Sequence, residues 1–206
     1  MLSLIIPAYN EEERIGQVLD AVIAAGVFDQ VIVVDDGSTD RTAEVATAHR
    51  VEVVRLPTNR GKGAAVAAGL SRAQGEVIGF LDADLVGLRP EHIRALVLPV
   101  IEGQADMTIG LFGGGRLSTD LAQKLTPILT GQRVVHRRWL PPADFSTARY
   151  GIEVLLHKHV KDSGGRIVEV SLDEVTHHMK EEKLGWRKGV AARLRMYWDI
   201  LKVMAK

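Results

Sequence analysis

Two carboxylates one residue apart close an apolar run, Val77-Ile78-Gly79-Phe80-Leu81-Asp82-Ala83-Asp84. The run predicts a buried β-strand, and the alternation of side chains along a strand sets Asp82 and Asp84 on one side with Ala83 on the other. Like charges held that close repel, so the pair calls for a positive partner. A divalent cation fits. Oxygen-only ligands favour Mg²⁺ or Mn²⁺, which keep coordination positions open for water and substrate phosphates. The competing reading is turn chemistry, in which Asp82 opens a turn and Asp84 caps the next element.

Two further polar clusters come after predicted strands: Pro7-Ala8-Tyr9-Asn10-Glu11 and Asp35-Asp36-Gly37-Ser38. Each alone is open to the same turn reading, but three successive strand ends carrying such clusters point to a shared site. In open parallel sheets, ligands bind at the carboxyl ends of the strands, where the variable loops converge.

The elements that position these clusters are legible as a βαβ alternation over residues 2 to 111. Strands are expected at Leu2 to Ile6, Val31 to Val34, Val51 to Leu56, Val77 to Asp84 and Met107 to Phe112. Between them, Ile15, Val18, Leu19, Val22 and Ile23 form a helical face that stops at Gly26. Further helices are expected from Arg41, over Ala64 to Ala73, and from Pro90 to about Glu102, where Gly103 closes the last. The second half is less regular. Helices are expected over 117–129 and 151–160, a strand over 166–172, and a closing helix from Trp186 to Met204.

Composition narrows the classes of function. A chain of 206 residues with 46% hydrophobic content suits one sizeable domain. Net charge is zero, from 26 basic and 26 acidic residues, which leaves no overall electrostatic footprint for nucleic acid. The absence of cysteine excludes disulfides and thiolate metal sites and suits a reducing cytoplasm. The N-terminus lacks the features of a signal peptide, and no apolar run approaches the ~18 residues that a membrane span needs. The closing helix is basic, with Leu194, Tyr197, Leu201 and Met204 on one face. Packing on its own domain, a homodimer contact and peripheral membrane contact are all readings of such a helix.

Four stretches taken together resemble the nucleotide-sugar half of A-fold glycosyltransferases of family 2. They are Pro7 to Glu12, Val33 to Asp40, Asn59-Arg60-Gly61-Lys62-Gly63 and Leu81 to Asp84. The resemblance covers about the first 110 residues. It continues more weakly through Phe112 to Arg116, Leu129-Thr130-Gly131-Gln132-Arg133, Tyr150-Gly151-Ile152-Glu153 and Val175-Thr176-His177-His178, where it is similar to bacterial glucosyl-3-phosphoglycerate synthase-like enzymes. It implies an α/β fold with a single, mostly parallel twisted sheet flanked by helices. The whole chain would be one domain, with a donor half over 1–110 and an acceptor half over 111–206.

The resemblance also implies roles. Pro7, Ala8, Tyr9 and Glu11 would line the base and ribose pocket, and Asp36 with Gly37 would bind the nucleoside. Asp36 could instead cap the following helix. Lys62, on a glycine-flanked loop, would approach the diphosphate, Asp84 would ligate the metal, and Asp82 with Ala83 would contact donor ribose or share that ion. His177, ahead of His178, would complete the metal sphere. Arg116 and Arg133, on loops containing Gly115 and Gly131, would grip an acceptor phosphate or carboxylate, an isolated arginine being otherwise a solvated surface residue. Asp144 and Glu153 are the available carboxylates if a base is needed.

The implied function is transfer of a sugar, a hexose, from a nucleoside diphosphate sugar with uridine diphosphate as the carrier. The acceptor would be a small molecule or a lipid phosphate, and Mg²⁺ or Mn²⁺ the cofactor. Two alternatives stand beside it. A nucleotidyltransferase shares the sheet and the metal but carries a Gly-rich basic loop after the first strand, where this chain has Pro7 to Glu11. A non-catalytic nucleotide-binding protein suits the sparse second half but not the presence of Asp36, Lys62 and Asp84.

Overall fold

The computed structural model describes residues 1–113, 130–142 and 152–177. The helices expected over 117–129 and 186–204, and the residues Arg116, Asp144 and His178, lie outside them. Nine strands and five α-helices are described: β1 (Leu2–Ala8), α1 (Ile15–Ala25), β2 (Gln30–Asp35), α2 (Thr42–Ala48), β3 (Glu52–Arg55), α3 (Lys62–Arg72), β4 (Val77–Phe80), β5 (Leu85–Val86), α4 (Pro90–Ile101), β6 (Met107–Gly113), β7 (Arg133–His136), α5 (Ile152–Asp162), β8 (Ile167–Asp173) and β9 (Thr176–His177).

Seven strands form one sheet in the order β3-β2-β1-β4-β7-β6-β8. Pairing is parallel throughout except at β7, which runs antiparallel to both β4 and β6. The strands read as unbroken apolar runs because both faces of the sheet are covered. On one face Leu4, Ile6, Val33 and Val77 pack with α1 and α4 residues such as Leu19, Val22, Ile93 and Leu96. On the other, Ile5, Ile32, Val34, Ile78, Phe80 and Val135 pack with Ala65 and Val66 of α3 and Ile152, Leu156 and Val160 of α5. Alternate residues of one strand therefore serve different cores, as the two-residue period requires.

Helix ends obey the expected chemistry. Gly26 caps α1 in the left-handed conformation, with φ 64°. Pro90 opens α4, where its missing N–H has no intrahelical partner to lose. The turn of chain before Pro90 is held by His92, whose Nδ1 accepts the Arg89 N–H at 3.2 Å.

Three features depart from the sequence expectation. Strand β4 ends at Phe80, so Asp82 and Asp84 lie in the turn beyond it and not on the strand. Their alternation survives nonetheless: Leu81, Ala83 and Leu85 are buried while Asp82 and Asp84 are partly exposed. Residues 133–136, expected as loop, form β7, which lies between β4 and β6 and completes the sheet. Finally, β5 and β9 pair as a small antiparallel ribbon, with Leu85 opposite His177. Among the described residues no helix is long and apolar enough to cross a membrane.

Two partly or fully buried histidines make stability depend on pH. His92 is 6% exposed, and burial, aided by the Arg89 charge, pushes its pKa below the usual histidine value. His157 on α5 is pushed the same way by burial and by the charges of Arg133 and Lys161. The unfolded chain therefore binds more protons than the folded one once pH drops below ~6.5, so this contribution is present above that value and lost as pH falls. Urea denaturation between pH 8 and pH 5 is expected to show stability falling below pH ~6.5, with a shallower fall in His92→Asn and His157→Asn. Parallel pH profiles in wild type and both variants would remove the histidines as the cause.

Candidate active site

Strand order reverses beside β1, because β2 pairs on one side of it and β4 on the other. The carboxyl ends of β1 and β4 thus flank a crevice of the kind in which open α/β sheets bind ligands. Pro7, Phe80, Leu81 and Asp82 line a pocket there, together with Lys62 and Val66 of α3, Gly131 and Arg133 of the β7 approach, and Ile152, Glu153 and Leu156 of α5.

Lys62 is the centre of that pocket. It is the first residue of α3 and not part of the loop before it, as the glycine-flanked sequence suggested. Its ammonium lies 2.7 Å from Asp82 Oδ1 and 2.6 Å from Glu153 Oε1. Burial opposes its charge, but the two carboxylates outweigh burial and hold its pKa well above the usual lysine value. The side chain keeps 37% of its surface exposed, so the arrangement is open to a ligand. An ammonium has three N–H donors, and two acceptors are accounted for.

Asp36 explains how Lys62 is placed. Its two oxygens accept the backbone N–H groups of Arg60 and Gly61, both at 2.8 Å, so the carboxylate holds the loop that leads into α3. Asp36 is 3% exposed. Gly37 belongs to the same junction. It has φ 71°, and a side chain there would meet the backbone of Thr58 at 2.6 Å. The sequence expectation treated Asp36 and Gly37 as nucleoside contacts or a helix cap; the structure makes them the brace of the Lys62 loop.

The β1 and β2 loops are fastened to one another. Asn10, with φ 55°, donates its N–H to Ser38 Oγ at 2.9 Å and accepts the Thr39 N–H at 2.9 Å. Glu11 N–H donates to Thr42 Oγ1 at 2.8 Å. These bonds leave Tyr9 44% exposed at the end of the crevice, an aromatic face open to solvent, while Ala8 is buried beneath it. Glu11 pairs with Arg14 at 3.6 Å.

Residues 130–133 supply features that the sequence expectation missed. Gln132 donates from Nε2 to Asp82 Oδ2 at 2.8 Å, and Thr130 donates to Gln132 Oε1. A side chain at Gly131 would fall 2.5 Å from Asp82 Oδ2 and 2.7 Å from Lys62 Nζ, so only glycine lets the backbone press against the ion pair. Arg133 corrects an expectation. It lies on β7, is 1% exposed and donates from Nε to the Thr130 carbonyl at 2.9 Å, so it is not a loop arginine reaching into solvent for an acceptor. Burial lowers its pKa to about 10, against the opposing pull of Glu153 and Asp82. The only sequence signal for this stretch was its match to the family pattern, since buried polar side chains leave no periodic trace.

The metal candidates are less complete. Asp84 is partly exposed in the turn after β4, and Ala83 is buried beside it. The register that sets His177 opposite Leu85 brings its backbone beside the residue after Asp84, while the His177 side chain lies outside the described set. Among the described residues no three carboxylate or imidazole groups converge as a metal cage. Mg²⁺ and Mn²⁺ sites that retain water and substrate oxygens need only one or two protein carboxylates, so the donor set fits such an ion.

A family model, Glycosyl transferase family 2, matches residues 3–166. The chain belongs to glycosyl transferase family 2. The glucosyl-3-phosphoglycerate synthase of Mycobacterium tuberculosis is 30% identical over 190 residues, covering 74% of this chain and 58% of the synthase. The chain therefore spans less than two thirds of the length of that relative. The 4,4'-diaponeurosporenoate glycosyltransferase of Staphylococcus aureus is 41% identical over 101 residues, 47% of this chain and 27% of that enzyme. The crystal structure of the M. tuberculosis synthase with phosphoglyceric acid superposes with a TM-score of 0.79 at 28% identity, covering 98% of this chain and 79% of that one. Its complex with Mn²⁺, uridine diphosphate and glucosyl-3-phosphoglycerate gives a TM-score of 0.74 at 29% identity, covering 95% and 79%.

Gly131→Ala is expected to push the backbone off the Lys62–Asp82 pair and to lower stability by about 1–3 kcal/mol, the usual cost of overpacking. Chemical denaturation measures it, and a midpoint equal to that of wild type would mean that the pair yields without cost.

Proposed function

We propose that the chain is a divalent-metal-dependent glycosyltransferase that moves a hexosyl group from a uridine diphosphate sugar to a phosphorylated small-molecule acceptor. The observation that carries this reading is the convergence of Pro7, Lys62, Asp82 and Glu153 at the switch point of a family 2 sheet, beside Asp84. The donor and acceptor classes are supported by the synthase complexes, which contain uridine diphosphate, Mn²⁺ and phosphoglycerate compounds. A nucleotidyltransferase is disfavoured by the family and by the Pro7 to Glu11 loop, which offers no cluster of basic groups.

In this reading residues 1–110 form the donor half and residues 111–206 the acceptor half of one domain. Tyr9 supplies the aromatic face for the base, with Pro7 and Glu11 beside it. Asp82 accepts from donor hydroxyls, and Lys62, with one N–H beyond those on Asp82 and Glu153, faces the charge that grows on the departing diphosphate. Asp84 with His177 would hold the metal, which when bound supplies Lewis acidity at the diphosphate. Glu153 keeps the Lys62 ammonium charged and in place. Held so, it is less suited to act as a general base, and a phosphate acceptor needs none because it is already nucleophilic. A cytoplasmic setting belongs to the same reading and rests on the cysteine-free composition.

Thermal shift and turnover against a panel of nucleoside diphosphate sugars, with Mn²⁺ or Mg²⁺ and phosphoglycerate as trial acceptor, test the proposal. Metal-dependent stabilisation is expected to be greatest for a uridine nucleotide; no stabilisation by any member would falsify the donor site. Asp84→Asn is expected to abolish transfer with the fold retained, and His177→Ala to raise the Mn²⁺ dissociation constant measured by calorimetry. Unchanged Mn²⁺ affinity in both variants would place the ion elsewhere.

A further inference from the structure

We propose that Gln132, with Thr130 behind it, is a positioning residue that fixes the face Asp82 presents to the donor. The inference rests on the donor-site reading above. Gln132 is 0% exposed and Thr130 5%, so neither has surface with which to hold a ligand itself.

The direction of every bond in the relay is set by one charge. The ammonium of Lys62, 2.7 Å from Asp82 Oδ1, requires a carboxylate at that position. A carboxylate only accepts, so the group 2.8 Å from Oδ2 is the NH₂ of Gln132. That choice turns Gln132 Oε1 toward Thr130, whose hydroxyl donates to it at 2.5 Å. Thr130 Oγ1 also lies 2.9 Å from the Gly110 carbonyl of β6, and the Gly110 N–H donates to the Gln132 carbonyl at 2.8 Å. Asp82 is thus gripped at Oδ1 from α3 and at Oδ2 from the β6–β7 pair. The plane of the carboxylate is set, and with it the directions from which a donor hydroxyl can dock. Gly131, between the relay residues, adds no side chain to the space in front of that carboxylate.

Two substitutions separate positioning from filling. Gln132→Met keeps length and bulk but removes the N–H. Gln132→Glu keeps shape and has two states: ionised, it sets a second negative charge against Asp82 Oδ2; protonated, its O–H can donate to Oδ2 while its carbonyl accepts from Thr130. The readouts are kcat/KM for UDP-glucose with Mn²⁺ from pH 8 to pH 5, each divided by the wild-type value at the same pH, and calorimetric affinity for UDP-glucose. Gln132→Met is expected to lose about tenfold or more at every pH, the size of a hydrogen bond to a charged group. Gln132→Glu is expected to be as poor at pH 8 and to recover as pH falls. A pH-independent ratio for Gln132→Glu, or Gln132→Met within about twofold of wild type, overturns the inference, since a residue that only fills space gives no acid rescue. If Gln132→Met does not fold, Thr130→Val carries the test: reduced kcat/KM that Thr130→Ser restores supports the relay, and unchanged kcat/KM overturns it. Wild-type protein that neither binds nor turns over UDP-glucose would instead sink the uridine-donor reading, and this inference with it.

Discussion

One ammonium group holds the two ends of the site together. Lys62 Nζ lies within 2.7 Å of carboxylates from Asp82, after β4, and Glu153, on α5, two segments distant in sequence. Without the cation, two negative charges would face each other across a partly buried crevice. Removing one member of such a group leaves the others uncompensated, which is the costly case for ion pairs shielded from water. Much of the surrounding structure serves that one contact: Asp36 fixes the loop before Lys62, Gly131 leaves room for the pair, and β7 continues from the segment that contains it.

The same arrangement joins binding to architecture. The donor side comes from β1, β2, β4 and α3, whose loops are tied by Asn10, Ser38 and Thr42. The far side comes from the β7 approach and α5. A ligand at the crevice would contact both, so its binding would couple parts of the chain that otherwise meet only through the sheet. Arg133 beneath the pocket adds a second positive charge that is held by protein alone, which raises the potential felt by an anionic ligand without offering it a direct contact.

Periodicity and charge made much of the fold legible in the sequence. The βαβ alternation, the Gly26 and Gly103 helix ends and the Pro90 helix start all come from local rules, and each matches the structure. The strand-end clusters were legible because loops at carboxyl ends collect polar residues. The departures share a different cause. Strand β7 carries Arg133 and His136 at its ends, so four residues gave too little pattern to distinguish it from loop. Asp82 and Asp84 alternate as a strand would, yet the ladder stops at Phe80, because the partner that could have extended it, β7, begins at Arg133, opposite that residue. Gln132 and Thr130 were invisible as site residues because their importance lies in what they bond to, which no spacing along the chain reveals. Asp36 was noticed, but its task of tying down a loop some distance along the chain depends on a contact that only folding creates.

The place of β7 also shapes how the chain must be assembled. Strands β1 to β4 are complete once Phe80 has been synthesised, and they pair in the order β3-β2-β1-β4 from near neighbours in sequence. The outer edge of β4 can be covered only by β7, which starts at Arg133. Until then a fully apolar strand, Val77-Ile78-Gly79-Phe80, presents unpaired backbone groups. An open apolar edge of this kind invites pairing with another nascent chain, and non-local antiparallel closure is slow relative to βαβ units. The late strand that builds the floor of the crevice is thus also the one that seals the protein against self-association during biosynthesis.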